Sequence, residues 1–180
     1  MTRRLSAPIV TVAAILLVSV FVACGSPGAI GTNELDGPGP PRTVITCDDC
    51  QIVDVVEVID GDTLVLKFGV LESGGIDSGP VRVYGIDAPE TAEECYAEAK
   101  AALTGLAGGR VRLEDGSRAT DPFGRILAYL FDINGNSIDV QMVSAGLARA
   151  WTEDGQHRDT LMALERSARS NRAGCLWGQQ

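Results

Sequence analysis

Residues 82–91 read RVYGIDAPET and pass from a predicted strand into a predicted turn. Valines flank Arg82 on both sides, and this alternation indicates a strand whose arginine lies on the face opposite the valines. Pro89 disfavours helical geometry at the residue before it, so residues 87–90 are predicted to form a loop. The segment is therefore a strand that carries a guanidinium, followed by a loop that carries two carboxylates.

The two carboxylates belong to Asp87 and Glu90, and together with Arg82 they suggest a chemical role. A guanidinium fork suits phosphate oxygens, and carboxylates in a loop suit a hard cation or proton transfer. The combination predicts metal-assisted attack on a phosphodiester. These ten residues alone are equally compatible with a surface strand and turn that share an ion pair.

Residues 1–24 have the pattern of a secretory signal peptide, with two arginines followed by an apolar run of 15 residues. Such a run is too short to span a membrane comfortably. It ends in FVAC, which resembles a bacterial lipobox in which Phe21 replaces the usual leucine. We expect lipid attachment to Cys24 and an anchor on the cell membrane, outside the cytoplasm. The alternative is an ordinary cleaved signal and a secreted protein.

The remaining chain divides into a linker and one domain. Residues 25–44 are rich in glycine and proline and lack periodicity, which predicts a disordered tether. Residues 45–180 are long enough for a single folded domain. We expect this domain to be a monomer.

The chain is acidic, with 15 lysines and arginines against 24 aspartates and glutamates and a net charge of −9. A protein that coats nucleic acid without specificity normally has a basic surface. The composition therefore argues against that class of function, and any phosphate chemistry must depend on a few local cations. Nearly all of these are arginines, because the only lysines are Lys67 and Lys100.

Five cysteines are present, and four remain if Cys24 carries lipid. An even set in an oxidising compartment suggests disulfides. Of the three possible pairings we favour Cys95–Cys175 with Cys47–Cys50. The first pair would close a loop of about 80 residues and stabilise the fold by about 4 kcal/mol in the chain-entropy model. The CxxC motif could instead be a metal or redox pair, although no second CxxC or histidine cluster supports zinc.

Apolar alternation and turn residues predict five strands, and helical spacing predicts three helices. A capping box of Thr91 and Glu94 is expected to start the first helix, and Ser137 to cap the second. The order is that of an OB-fold barrel. The predicted fold class is α+β, mainly β, a five-stranded OB-fold barrel with three helices. The predicted strands are 51–59, 62–68, 80–84, 110–113 and 125–131, and the predicted helices are 92–106, 137–146 and 156–172.

Two further motifs accompany the opening segment. IDGDT at 59–63 places a carboxylate at a hairpin tip, and DPFGR at 121–125 places a second arginine at the start of the fifth strand. Each motif is weak alone, but their order with RxxxxDxPET, followed by GLA and a C-terminal Leu-Trp, is specific. On these motifs the chain resembles the staphylococcal nuclease (thermonuclease) family over residues 53–177.

The resemblance implies a calcium-dependent endonuclease that cuts phosphodiester bonds of DNA and RNA. Asp62 and Asp87 fall on the family's calcium-binding aspartates, and Ala88 falls where a main-chain carbonyl is a ligand. Six to eight oxygen ligands suit Ca²⁺, so this set leaves room for water and a phosphate oxygen.

The resemblance also implies the catalytic residues. Glu90 matches the glutamate that acts as general base, and Arg82 and Arg125 match the arginines that hold the phosphate and bind the charge that develops on it. This assignment agrees with the independent interpretation of the opening segment, in which a guanidinium serves phosphate and a loop carboxylate serves proton transfer.

Four other residues are candidates for supporting roles. Thr63 could support the metal site through its hydroxyl, which we favour, or simply begin the strand. Asp60 is expected to form the hairpin turn rather than bind the ion directly. Phe123 and Trp151 could stack on nucleic-acid bases or belong to the core.

Two departures from the family pattern remove positive charge. The chain enters its first helix directly at residues 92–94, where the family's best-known member has a long lysine-rich loop. Pro122-Phe123 replaces a Lys-Tyr pair that contacts a terminal phosphate. A non-catalytic OB-fold module that binds Ca²⁺, nucleic acid or another polymer is therefore the alternative function.

Overall fold

The computed structural model describes residues 45–70 and 73–178 of the chain. The predicted signal peptide at 1–24, the lipid on Cys24 and the linker at 25–44 lie outside the described residues. Within those ranges, no helix combines the length and the apolar character needed to cross a membrane.

The described residues contain seven strands, and five of them close into a barrel in the order β1-β2-β3-β6-β5. Neighbouring barrel strands run antiparallel except for β3 and β6, which are parallel. The other two strands form a small separate sheet. This confirms the predicted five-stranded, mainly β barrel of the OB type. The strands are β1 (Gln51–Val58), β2 (Thr63–Val70), β3 (Ile76–Val83), β4 (Ile86–Asp87), β5 (Arg110–Thr120), β6 (Ile126–Phe131) and β7 (Arg149–Ala150).

The helices pack outside the barrel and complete one hydrophobic core. They are α1 (Tyr96–Ala107), α2 (Ile138–Ser144), α3 (Arg158–Ser170) and α4 (Gly174–Gly178). With the short α4, the part of the chain that the structure describes has four helices rather than the predicted three, and α4 buries Trp177. Ser137 caps α2 as predicted, because its hydroxyl accepts the N–H of Val140 at 3.1 Å. The largest fully buried side chains are Tyr129, Phe131, Leu64, Leu66, Ile86, Leu103, Leu130, Ile138, Met142 and Leu161.

The predicted start of the first helix is wrong by four residues. Residues 91–95 form turns, and Cys95 has a φ of 74°, so the backbone cannot enter the helix before Tyr96. No side chain caps α1. The carboxylate of Glu93 instead accepts the N–H of Glu90 at 3.0 Å. The predicted capping box is therefore replaced by a turn that holds the backbone of Glu90.

The structure contains both favoured disulfides, Cys47–Cys50 and Cys95–Cys175. The second joins the start of α1 to α4 across 80 residues of sequence. It therefore ties the C-terminal helix to the segment that follows the predicted catalytic loop.

Candidate active site

Strand register brings three predicted site residues to one end of the barrel. Thr63 on β2 lies opposite Arg82 on β3. Val81 of β3 lies opposite Ile126 of β6, so Arg125, which directly precedes that strand, enters the same region. Thr63 and Arg125 lie about 20 and 40 positions from Arg82 in the sequence, and they are its neighbours in the fold because β2 and β6 flank β3.

Arg82 forms the centre of this cluster, and its side chain is only 12% exposed. Its Nη2 lies 3.2 Å from Oδ2 of Asp62 and donates to Oδ1 of Asp87 at 3.0 Å. Its Nη1 donates to the carbonyls of Val83 at 2.8 Å and Ile86 at 2.5 Å. The guanidinium is therefore held by the turn that follows Arg82 in the chain, between Val83 and Asp87. Oδ2 of Asp62 and Oδ1 of Asp87 both lie within 3.2 Å of Nη2, so the distance between these two oxygens is at most twice 3.2 Å.

Asp62 is buried beneath the cluster. Its Oδ2 accepts the backbone N–H of Ala88 at 2.7 Å, which links the β1–β2 turn to the loop after β4. Burial raises the pKa of Asp62 to about 6, against the opposing influence of the Arg82 guanidinium. Ala88 thus lies next to Asp62.

Thr63 and Asp60 contact the backbone and side chains around Asp62. The Thr63 hydroxyl donates to Oδ1 of Asp62 at 3.1 Å and accepts from Nη1 of Arg125 at 3.2 Å. It therefore connects the carboxylate to the second arginine. Oδ1 of Asp60 accepts the N–H of Asp62 at 3.0 Å, as a turn-forming aspartate does.

Asp121 orients the side chain of Arg125. The sequence alone did not assign a role to this residue. Its Oδ2 accepts from Nε of Arg125 at 2.7 Å, and its Oδ1 accepts the N–H groups of Phe123 and Arg125 at 2.9 Å. Burial opposes ionisation, but the hydrogen bonds from Arg125 prevail and lower the pKa of Asp121. The spacing of the DxxGR motif was the available signal for this role.

A cavity of about 370 Å³ joins the remaining predicted residues. Asp87, Glu90 and Arg125 line it together with Arg82, and the candidate stacking residues Phe123 and Trp151 form part of its wall. Phe123 is 84% exposed, so it is not a core residue. Trp151 is held at the site because its backbone N–H donates to the carbonyl of Gly85 at 2.9 Å. Asp62 does not line the cavity and is connected to it through its contact with Arg82.

The donor set fits a hard divalent cation. Asp62 and Asp87 share the single guanidinium of Arg82, so these two carboxylates together keep an excess of negative charge. Carboxylate oxygens are the ligands that Ca²⁺ prefers. Among the described residues no group of three or more His, Cys, Asp or Glu side chains is placed to hold a metal. An ion here would therefore take most of its ligands from main chain, water and substrate.

Several further residues of the cavity wall were not predicted from sequence, among them Tyr84, Arg118 and Glu153. Tyr84 is buried and packs 5.3 Å from Tyr129, between ring centroids. Arg118 lies near the end of β5, which was predicted to stop at residue 113. The polar residues beyond 113 lack the alternation that identifies a strand, so no local signal placed Arg118 beside the site.

Asp139 of α2 fixes the turn between Arg82 and Asp87 from below. It is 1% exposed and accepts the N–H groups of Gly85 at 3.1 Å and Leu130 at 3.3 Å. A Cβ at Gly85 would lie 2.8 Å from the Asp139 carboxylate and 2.4 Å from Leu161, so glycine is required for this approach.

We expect Asp139 to make stability depend on pH. Burial raises the pKa of Asp139 from 3.8 to about 6, although hydrogen bonds from Leu130 and Gly85 lower it. The folded state therefore binds the proton more tightly than the unfolded state, and this stabilisation, about 3 kcal/mol, is full below pH 3.8 and lost as the pH rises through 6.

Denaturant unfolding of the wild type and of Asp139→Asn between about pH 4 and pH 7 measures this contribution. The variant cannot titrate at this position, so its free energy of unfolding, relative to that of the wild type, should increase with pH. Parallel curves for the two proteins would contradict the assignment.

Comparisons with known proteins agree with the motifs. A family model described as staphylococcal nuclease homologue matches residues 80–179. A protein named Thermonuclease from Staphylococcus intermedius is 33% identical over 123 residues, which cover 64% of this chain and 69% of that protein. Protein ParB of Escherichia coli is 35% identical over 136 residues, which cover 69% of this chain and 71% of that protein.

Proposed function

The chain belongs to the staphylococcal nuclease family, and on that basis we propose that it is a calcium-dependent endonuclease that hydrolyses phosphodiester bonds of DNA and RNA. A nuclease-type function follows from the family, whereas the ion, the substrates and the role of each residue are our proposal. The main support is the single cavity lined by Arg82, Asp87, Glu90 and Arg125, with Asp62 directly behind it.

Glu90 is proposed to act as the general base. It is exposed, and within the described ranges its carboxylate forms no hydrogen bond or ion pair. It is therefore available to hold a water molecule and accept its proton. The water oxygen forms a new bond to phosphorus, one ester P–O bond breaks, and the departing oxygen takes a proton from solvent.

Arg82 and Arg125 are proposed to stabilise the negative charge on the non-bridging phosphate oxygens. Both guanidinium groups are held before substrate arrives, Arg82 by the carbonyl of Ile86 and Arg125 by Asp121. Donors that are already oriented need no rearrangement when charge develops, which is why such groups contribute strongly to rate.

Asp62, Asp87 and the main-chain carbonyl of Ala88 are proposed to hold the calcium ion. When bound, the ion would supply positive charge beside the phosphate and lower the pKa of a coordinated water. Asp62 is kept in place by the N–H of Ala88, and Asp87 by Arg82. A small number of protein ligands gives weak calcium affinity, which suits a location outside the cytoplasm.

We further propose that the protein acts outside the cytoplasm as a monomer, anchored to the membrane by lipid on Cys24. The apolar run and FVAC motif before this residue support the anchor. The two disulfides support an oxidising compartment. Secretion without lipid is the alternative location.

Digestion of plasmid and of single-stranded DNA and RNA by the purified protein tests the proposed function. We expect cleavage in millimolar calcium and its loss when a chelator removes the ion, because the carboxylate pair then lacks its cation. Affinity for nucleic acid without any cleavage in calcium would favour the non-catalytic binding module instead.

A further inference from the structure

The cavity contains a third cation besides the two arginines assigned to the reacting phosphate. Arg118 lines the same cavity as Arg82 and Arg125. Its guanidinium carbon lies 5.9 Å from the centroid of the Tyr84 ring. Its Nε lies 3.4 Å from Oδ2 of Asp154, in the loop before α3. Arg118 therefore forms part of the wall between the end of β5 and this loop.

Arg118 is the most accessible of the three cations. Its side chain is 43% exposed, compared with 12% for Arg82 and 30% for Arg125. The other two form several close hydrogen bonds, whereas within residues 45–70 and 73–178 the side chain of Arg118 has one polar contact, its ion pair with Asp154. A pair this exposed contributes little to stability, so its guanidinium can exchange Asp154 for another anion at small cost.

Asp154 also contacts the other side of the cavity. Its Oδ1 accepts from Nε1 of Trp151 at 2.9 Å, while its Oδ2 faces Arg118. Trp151 and Arg118 are therefore held by opposite oxygens of one carboxylate. An anion that replaced Oδ2 at the guanidinium would leave the bond to Trp151 intact.

The charge of the whole chain makes such a cation important. The whole chain has a net charge of −9, whereas a protein that holds a polynucleotide usually has a basic surface. Neither Lys67 nor Lys100 lines the cavity, whose wall also carries the carboxylates of Asp121 and Glu153. Substrate binding at this wall must therefore depend on its arginines.

We propose that Arg118 binds a second phosphate of the polynucleotide, next to the phosphate that is cleaved, and so selects chains over small phosphodiesters. This inference rests on the proposed nuclease function. In the free protein Arg118 forms its ion pair with Asp154, and when substrate binds it exchanges this partner for the phosphate. Arg118 thereby adds positive charge to a wall that also carries the carboxylates of Asp121 and Glu153.

Arg118→Gln tests the proposal, with Arg166→Gln as the matched control, because Arg166 is exposed on α3 and does not line the cavity. For a single-stranded oligonucleotide we expect Arg118→Gln to raise KM about tenfold with kcat little changed. The slope of log affinity against log salt concentration should become shallower by about 0.7. Cleavage of a dinucleoside monophosphate, which has no neighbouring phosphate, should be unaffected.

Asp154→Asn provides a test of opposite sign. Asparagine keeps an oxygen for Trp151 but removes the charge that holds Arg118, so KM for the oligonucleotide should fall, by roughly twofold to fivefold. If the ion pair were only a structural clamp, both variants would raise KM for both substrates and lower Tm alike, and the proposal would be overturned.

Oligonucleotide binding to Glu90→Gln, followed by fluorescence anisotropy in calcium, separates this inference from the proposed function. If the wild type cleaves DNA but adding Arg118→Gln changes affinity no more than adding Arg166→Gln, the inference is overturned and the nuclease function stands. If the wild type cleaves nothing but Arg118→Gln weakens binding about tenfold, the nuclease function fails and only the contact between Arg118 and a polynucleotide phosphate stands. Absence of both cleavage and binding overturns both.

Discussion

Replacement of Glu90 by glutamine is expected to lower kcat for DNA hydrolysis by about 10²- to 10⁴-fold. Glutamine has nearly the same shape as glutamate but cannot accept a proton from the attacking water. The side chain of Glu90 is exposed, and the contact that orders this turn is made by its backbone N–H with Glu93. The substitution should therefore leave Tm and calcium affinity close to those of the wild type.

Glu94→Gln is the matched control, because this exposed glutamate lies four residues away and does not line the cavity. It removes the same charge and should leave kcat within about twofold of the wild type, as surface substitutions usually do. Kinetics at saturating substrate distinguish loss of chemistry from loss of binding. Equal activity of Glu90→Gln and Glu94→Gln would show that another group accepts the proton.

Removal of the Cys95–Cys175 disulfide is expected to have the largest effect on stability. In the chain-entropy model, the link across 80 residues restricts the unfolded chain enough to contribute about 4 kcal/mol. Cys95→Ala with Cys175→Ala should lower the free energy of unfolding by that amount and Tm by roughly 10–15 °C. Denaturant and thermal unfolding measure the two quantities.

The second disulfide supplies the control for this prediction. Cys47 and Cys50 lie three positions apart in the sequence, so removing that pair should cost only about 2 kcal/mol in the same model. Equal losses for the two double variants would show that loop length does not set the stabilisation. At temperatures well below both unfolding transitions, the double variants should retain activity, since Cys95 follows the predicted catalytic loop and does not line the cavity.

The location of the strands followed largely from local pattern. Apolar alternation and the Asp60-Gly61 turn indicated the barrel strands, and Ser137 indicated the start of α2. Local pattern failed where short-range signals conflict with packing. Thr91 and Glu94 have the spacing of a capping box, yet the φ of 74° at Cys95 and the disulfide to α4 accompany a later helix start.

The candidate site shows the same division. Arg82, Asp87 and Glu90 lie within ten residues, so their proximity was visible in the sequence. Asp121 was visible in the DxxGR motif but received no role, because its function depends on the buried contact with Arg125. Arg118 had no local signal, and its place beside the cavity became apparent only in the folded chain.

The sequence by itself determined the fold family, the strand-forming segments and the five charged residues of the candidate site, because motifs and alternation are properties of neighbouring residues. Only the tertiary structure decided that Asp62 lies buried behind Arg82 and that Arg118 and Trp151 share the partner Asp154. Strand register, barrel closure and burial set these distances. They bring together residues far apart in the chain, which local periodicity does not specify.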